Sequence, residues 1–206
     1  MATILVLGAG GFIGGAIAAN LRAAGHAIRH PHLDFAHLTR PADWQPHLDG
    51  VDAVINAVGV LRDSNRRPMQ AVHADAPAAL FEAAAGRCRV IHVSALGIAG
   101  NPTRYAQTKL AAERSLQALH GRLDACIVRP SIVFGPGGAS SRLFTTLARL
   151  PLLALPAAAL RTRVQPIAVR DLAAACTALV AAPSLPRQLD AVGPEALTLA
   201  AFIAAL

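Results

Sequence analysis

The chain is poor in the residue types that most often carry chemistry. Its 206 residues include one tyrosine, one tryptophan and three cysteines, and of 19 basic residues all but Lys109 are arginine. Cys88, Cys126 and Cys176 are odd in number and far apart, which excludes a disulfide scaffold and points to a reducing, cytoplasmic setting. Aromatic residues make up only 4%, so there is no platform for stacking bases. The arginines are scattered, apart from Arg62, Arg66 and Arg67 in a loop. The net charge of +7 therefore suits a solvated face or an anionic small ligand rather than nucleic acid. Charge is absent before Arg22, which gives residues 1–21 the length of a membrane span. Five glycines (Gly8, Gly10, Gly11, Gly14, Gly15) interrupt that run and no basic residue leads it, so neither a span nor a signal peptide is expected. Later apolar runs are cut by Pro151, Pro156 and Pro183.

Apolar residues are plentiful. At 54% hydrophobic the chain is excluded from disorder and can build one domain with an ample core. Branched residues at 3–7, followed at once by glycines, predict a buried strand and a tight turn. A helix over 12–24 ends at Gly25, and further strands are expected at 26–30, 53–57, 89–94 and 125–129. Between them lie helical stretches at 41–48, 68–87 (interrupted near Pro77) and 103–120. Strands alternating with helices predict an α/β fold with a doubly wound parallel sheet. From Gly135 the texture changes to short segments, helical at 140–150, 171–181 and 197–206 and extended at 164–169 and 188–192. The expectation is a single domain over 1–206, with a core at 1–134 and a small substrate-side lobe at 135–206.

The run Gly8-Ala9-Gly10-Gly11-Phe12-Ile13-Gly14 follows the first strand and opens the first helix. Glycines here let the backbone approach a pyrophosphate, and the helix N-terminus offers unpaired N–H groups with a positive dipole end. Glycines serving only tight strand–helix packing are the alternative. In dinucleotide-binding sheets an acid at the end of the second strand holds the adenosine ribose. That region here reads Arg29-His30-Pro31-His32-Leu33-Asp34, with His32 at the acidic place. A missing carboxylate beside cations favours a 2′-phosphate, hence NADP over NAD. Asp34 faces the adenine or starts a turn. No Cys or carboxylate cluster completes a ligand set with His26, His30, His32 and His37, so no metal site is expected.

Tyr105 and Lys109 lie at i and i+4 on one helix face. A phenol titrates near 10 and is a poor base at neutral pH, but a nearby ammonium favours phenolate. Lowering it three units requires roughly 4 kcal/mol of differential stabilisation. Lys109 also suits a hydrogen bond to the nicotinamide ribose. The bland alternative is an exposed helical pair, worth a few tenths of a kcal/mol.

Five motifs in order make the chain resemble the extended, atypical short-chain dehydrogenase/reductase family, the NAD(P)-dependent epimerase/dehydratase group. They are the glycine loop, Asn56-Ala57-Val58-Gly59, Tyr105-x-x-x-Lys109, the run from Arg129 through Pro130-Ser131-Ile132-Val133 to Pro136, and Gln165-Pro166-Ile167-Ala168-Val169-Arg170-Asp171. Within the group the chain is most similar to the branch that includes the NADPH-holding accessory subunit of respiratory complex I. The resemblance implies a Rossmann-type fold in which Gly8, Gly11, Gly14 and the backbone of Phe12 and Ile13 hold the pyrophosphate. It implies further that Asn56, Ala57, Val58 and Gly59 line the adenosine side, that Pro130, Ile132 and Val133 meet the carboxamide, and that Val93 and Ser94 lie beneath the ring.

Departures from the family pattern bear on activity. Leu96 stands where a second hydroxyl is expected, leaving Ser94 as the hydroxyl candidate, and His73 replaces the frequent helix-four Asn. The chain is also short for the family, so a truncated substrate lobe is expected, either as a compact form or because residues are missing. Two functions stay open. One is an oxidoreductase or sugar-nucleotide epimerase/reductase acting on an unknown small molecule, with Tyr105 as acid/base. The other is an NADP(H)-binding structural or regulatory subunit with little turnover. Helices beside the sheet offer a surface for a homodimer or larger complex.

Overall fold

A computed structural model describes residues 1–65, 67–151, 155 and 157–206, so Arg66 of the arginine cluster and the break at Pro156 lie outside the described residues. A run of branched residues, buried from Ile4 onward, forms β1 (Thr3–Leu7), and the glycine run opens α1 (Phe12–Ala23). The helix closes at Gly25, whose φ of +84° glycine adopts without strain. β2 (Ala27–Arg29), α2 (Pro41–Leu48) and β3 (Ala53–Asn56) follow. A π-helical turn, Ala71–Asp75, then leads into α3 (Ala76–Ala84). Pro77 has no N–H for the carbonyl four residues back, and the widened turn precedes it, so the interruption expected there is a π turn rather than a break. β4 (Arg89–Val93), α4 (Arg104–Ala118) and β5 (Ala125–Pro130) complete the alternation.

The remaining elements are β6 (Val133–Phe134), α5 (Ala139–Ala148), α6 (Ala157–Arg161), β7 (Arg163–Val164), β8 (Ile167–Ala168), α7 (Val169–Ala181), β9 (Gln188–Ala191), β10 (Leu197–Thr198) and α8 (Leu199–Ala204). Six strands form one parallel sheet in the order β2-β1-β3-β4-β5-β9. The chain starts at β1 and winds outward both ways, so a crevice opens at the carboxyl ends of β1 and β3, where the winding reverses.

Alternation along the strands assigns the two faces. Ile4, Val6, Ile55, Ile91 and Val128 pack with Ile17 and Leu21 of α1 and Leu172 and Cys176 of α7. Leu5, Val54, Val90 and Ile127 pack on the other side with Trp44, Leu80, Phe81 and Leu116 of α2, α3 and α4. Both faces are covered, as a parallel sheet requires.

The division expected at residue 134 does not separate sheet from lobe. β9 pairs with β5 (Val128↔Leu189) and α7 packs on α1, so the tail supplies the sixth strand and its crossover helix. A parallel neighbour needs such a crossover, which brings distant sequence back to the sheet edge. The small lobe is what remains: α5, α6 and α8 with the two-stranded pairs β6–β8 and β7–β10. Phe202 stacks edge-on against Phe134 and Phe144 there. The last helix begins later than expected because Leu197 and Thr198 pair with Val164 and Arg163, and Thr198 then caps it. The extended stretch expected at 164–169 is split, since Val169 already starts α7. Among the described residues no helix is long and apolar enough to cross a membrane.

Candidate active site

A cavity of about 510 Å³ occupies the crevice at the carboxyl ends of β1, β2 and β3. One wall is Gly8, Ala9, Gly10 and Gly11, another is Ala57, Val58 and Gly59, and His30, His32 and Arg67 stand around it. The glycines divide their labour. Gly8 has a φ of +83°, and a Cβ on Gly14 would lie 2.2 Å from the Gly8 carbonyl oxygen, so Gly14 serves close packing of helix on turn. Gly10 has open space around its would-be Cβ. Gly11 lines the cavity as the N-cap of α1, and no side chain caps that end, which leaves N–H groups of the first turn without a side-chain acceptor. Phe12 turns its ring to Gly138, and Ile13 packs into the core, so those two contribute backbone.

The two ligands predicted beside His32 at the end of the second strand are not brought to the cavity. The Arg29 guanidinium donates to the Asp49 carbonyl at 2.6 Å. Asp34 accepts from the Ala36 N–H at 3.0 Å and pairs with His37, so it starts a turn. Arg67 lines the wall instead, and sequence reasoning had placed it only in a loop cluster. The signal was its place just after the third strand's glycine, which only the returning loop turns toward β2.

The next turn of backbone is held by buried side chains. Asn56 accepts from the Val58 N–H at 3.2 Å and its amide meets His92 Nδ1 at 3.3 Å. His73 accepts from the Val60 N–H through Nε2 at 2.8 Å. Lys109, 4% exposed, donates to the Val93 carbonyl at 3.1 Å and lies 3.5 Å from that of Val58. Asn56 thus shapes the turn at residues 57–59 from behind and does not line the cavity.

α4 begins at Thr103, whose Oγ1 accepts from the Ala106 N–H, and so presents Tyr105 in its first turn and Lys109 in its second. One turn further, Glu113 is buried and receives both the Nε (2.9 Å) and an Nη of Arg129. Burial pulls the Lys109 ammonium down to about 8, partly offset by Glu113. Burial pushes the Tyr105 phenol up from its ordinary value, opposite to the lowering expected from Lys109. The reason is that the ammonium is drawn into the interior by two carbonyls, and removal of water is what the phenol feels.

Val93, Ser94, Pro130, Ile132 and Val133 lie beyond the cavity, at the carboxyl ends of β4 and β5 and on the turn into β6. The backbone ladder continues there, with the Leu96 N–H donating to the Pro130 carbonyl at 2.9 Å. Ser94 Oγ is buried without a partner among the described residues, whereas Leu96 is 40% exposed.

Residues 4–191 match the model of the NAD-dependent epimerase/dehydratase family. No curated protein sequence matches the chain. Among solved structures, dTDP-4-dehydrorhamnose reductase from Bacillus anthracis in complex with NADP is 15% identical, with 98% of this chain and 78% of that one covered and a TM-score of 0.79. The dTDP-glucose 4,6-dehydratase DesIV from Streptomyces venezuelae, solved with NAD, is 18% identical over 98% and 79% of the two chains, with a TM-score of 0.78. MoeE5 in complex with UDP-glucose and NAD is 21% identical over 98% and 80%, with a TM-score of 0.74. At these identities the likeness is one of fold.

Proposed function

Since the chain belongs to the NAD-dependent epimerase/dehydratase family, we propose that it oxidises or reduces a nucleotide-linked sugar, with Tyr105 moving the proton. The observation that carries this reading is Gly59. It lines the cavity whose opposite wall is the glycine loop, and a Cβ on it would lie 3.7 Å from Lys109 Nζ. One residue thus joins the dinucleotide crevice to the Tyr–Lys helix.

The residues fit an NAD(P) cofactor. Space over Gly10, an uncapped helix N-terminus and a crevice at the reversal point are what a pyrophosphate requires. Gly10, Gly11 and the N–H groups of Phe12 and Ile13 would hold the phosphates, and Ala57, Val58 and Gly59 the adenosine side. Lys109 would hold the second ribose, with Val93, Pro130, Ile132 and Val133 around the ring. The bound nicotinamide supplies the hydride acceptor or donor. Tyr105 gives or takes the proton at its Oη, one helical turn before Lys109. Ser94 is the buried hydroxyl at that end. Leu96 offers no second donor, and removal of such a donor typically costs about 2.7–4 kcal/mol in the transition state. His30, His32 and Arg67, with no carboxylate turned to the cavity, favour NADP over NAD. The three cysteines are free and fit a reducing compartment.

Calorimetric titration with NADPH and NADH, for the wild type and Gly10→Val, tests the cavity. Binding to the wild type with NADPH preferred, and loss in a folded Gly10→Val, is the expected result. No binding of either dinucleotide overturns the proposal. Turnover is then assayed on a panel of UDP- and dTDP-sugars. Tight binding with no turnover on any of them would transfer the assignment to a dinucleotide-holding subunit, a reading that rests on Leu96 and is the less favoured.

A further inference from the structure

The chemistry above makes no use of His73, yet this imidazole is 1% exposed and stands between the cavity wall and the Tyr–Lys helix. Its Nε2 accepts from the Val60 N–H at 2.8 Å, one residue past Gly59. Its Nδ1 meets Thr108 Oγ1 at 3.1 Å. The single Thr108 hydroxyl hydrogen points back to the carbonyls of Arg104 and Tyr105, at 2.9 and 3.1 Å. Thr108 Oγ1 is therefore the acceptor toward His73, and Nδ1 carries the ring's hydrogen. The His73 ring also meets the Tyr105 ring at right angles, centroids 5.3 Å apart.

We propose that His73 is a positioning residue: a neutral imidazole, locked as the Nδ1–H tautomer, that sets the spacing between residues 58–60 and the turn of α4 bearing Tyr105 and Lys109. This deepens the proposed function and rests on it for the role of Tyr105. A protonated ring would have no lone pair for the Val60 N–H and would place a cation beside Lys109, opposed among the described residues only by the Asp63 carboxylate. Burial and Lys109 together push the imidazole down to about 3, in keeping with a ring that stays neutral. The two nitrogens hold different things. Nε2 holds the cavity wall, and Nδ1 holds the helix through a residue that lies between Tyr105 and Lys109 in sequence.

Two amide variants separate these tasks. His73→Gln carries an amide oxygen near the place of Nε2 and keeps an acceptor for Val60, whereas His73→Asn carries an amide nitrogen near the place of Nδ1 and keeps a donor for Thr108. Nitrogen NMR of the wild-type imidazoles, assigned by the signal lost in His73→Gln, should show one ring protonated at Nδ1 that does not titrate between pH 8 and about 4. The single tyrosine makes a carbon-labelled tyrosine signal a reporter of Tyr105 alone. His73→Asn should weaken NADPH binding about tenfold and leave that signal in place, while His73→Gln should shift the signal, keep NADPH affinity, and lower kcat about tenfold at unchanged KM. A ring protonated at Nε2, or titrating near its ordinary value, overturns the proposal. So do two variants that behave alike in both readouts. Full activity in Tyr105→Phe would sink the assigned role of Tyr105 instead, a failure distinct from that of the tautomer and binding readouts.

Discussion

The two faces of the sheet are built on different physics. Under α1 and α7 the interior is aliphatic, from Ile4 and Ile17 to Leu172 and Cys176. Under α3 and α4 the aliphatic packing is interleaved with buried Asn56, His73, His92, Thr108, Lys109 and Glu113. Hydrophobic burial is non-directional, so the first face tolerates changes that keep volume. The second depends on named donor–acceptor pairs, each costly to break in a dry interior. Both faces carry apolar core, and the buried polar pairs that shape the candidate site lie on the second.

The sharpest separation of the two should come from Tyr105→Phe. Turnover should fall about 10²–10⁴-fold, with NADPH affinity and thermal midpoint unchanged, because only proton transfer is deleted. Steady-state rates beside calorimetry check this. An equal loss of affinity would mean that the phenol binds rather than reacts.

Glu113→Ala should destabilise by about 3–5 kcal/mol in urea unfolding, because it leaves the Arg129 guanidinium half-buried without its carboxylate. Replacing both, as Glu113→Leu with Arg129→Met, should restore most of that loss. If the double variant is no better than the single one, the polar face is not an optional replacement for an apolar one.

Lys109 gives the same contrast through pH. Its ammonium is held at about 8 in the fold and would titrate at 10.5 when unfolded. Between these values the unfolded chain binds a proton that the folded chain does not, so stability falls as pH drops from about 10.5 to 8. Below that the deficit is constant, about 3 kcal/mol. Lys109→Met should therefore raise the thermal midpoint at pH 7, flatten its rise toward pH 10, and weaken cofactor binding. A midpoint below wild type at pH 7 would show that the two carbonyl contacts outweigh the cost of burial.

The smallest effect belongs to the apolar face. Ile17→Val, at a fully buried position of α1, should cost about 0.5–1.5 kcal/mol and leave NADPH affinity within twofold. A larger change in affinity would show that this face also reaches the site.

Much of this was readable from the chain before any coordinates. Short apolar runs rich in branched residues marked β1, β3 and β4. The glycine loop and the helical spacing of Tyr105 and Lys109 marked the two ends of the site proposed above. What escaped was long-range. Arg29 and Arg67 cannot be ranked by sequence, because the first is captured by the Asp49 carbonyl and the second is delivered by a returning loop. For Asp34 the sequence left a ligand and a turn both open, and its carboxylate closes its own turn. The expected drop in the Tyr105 phenol assumed a nearby ammonium, and desolvation acts in the opposite sense.

By itself the sequence determined everything that follows from local periodicity and stereochemistry: which segments alternate, where only glycine fits, and which helix carries the lone tyrosine and lone lysine. Tertiary structure decided which residues share a cavity, that residues 188–191 complete the sheet beside β5, and that His73 is neutral with its hydrogen on Nδ1. Local patterns act over a few residues, and these outcomes depend on partners 13, 35 and about 60 positions away. Burial, which sets the ionisation of Tyr105, Lys109 and His73, exists only once those partners have met.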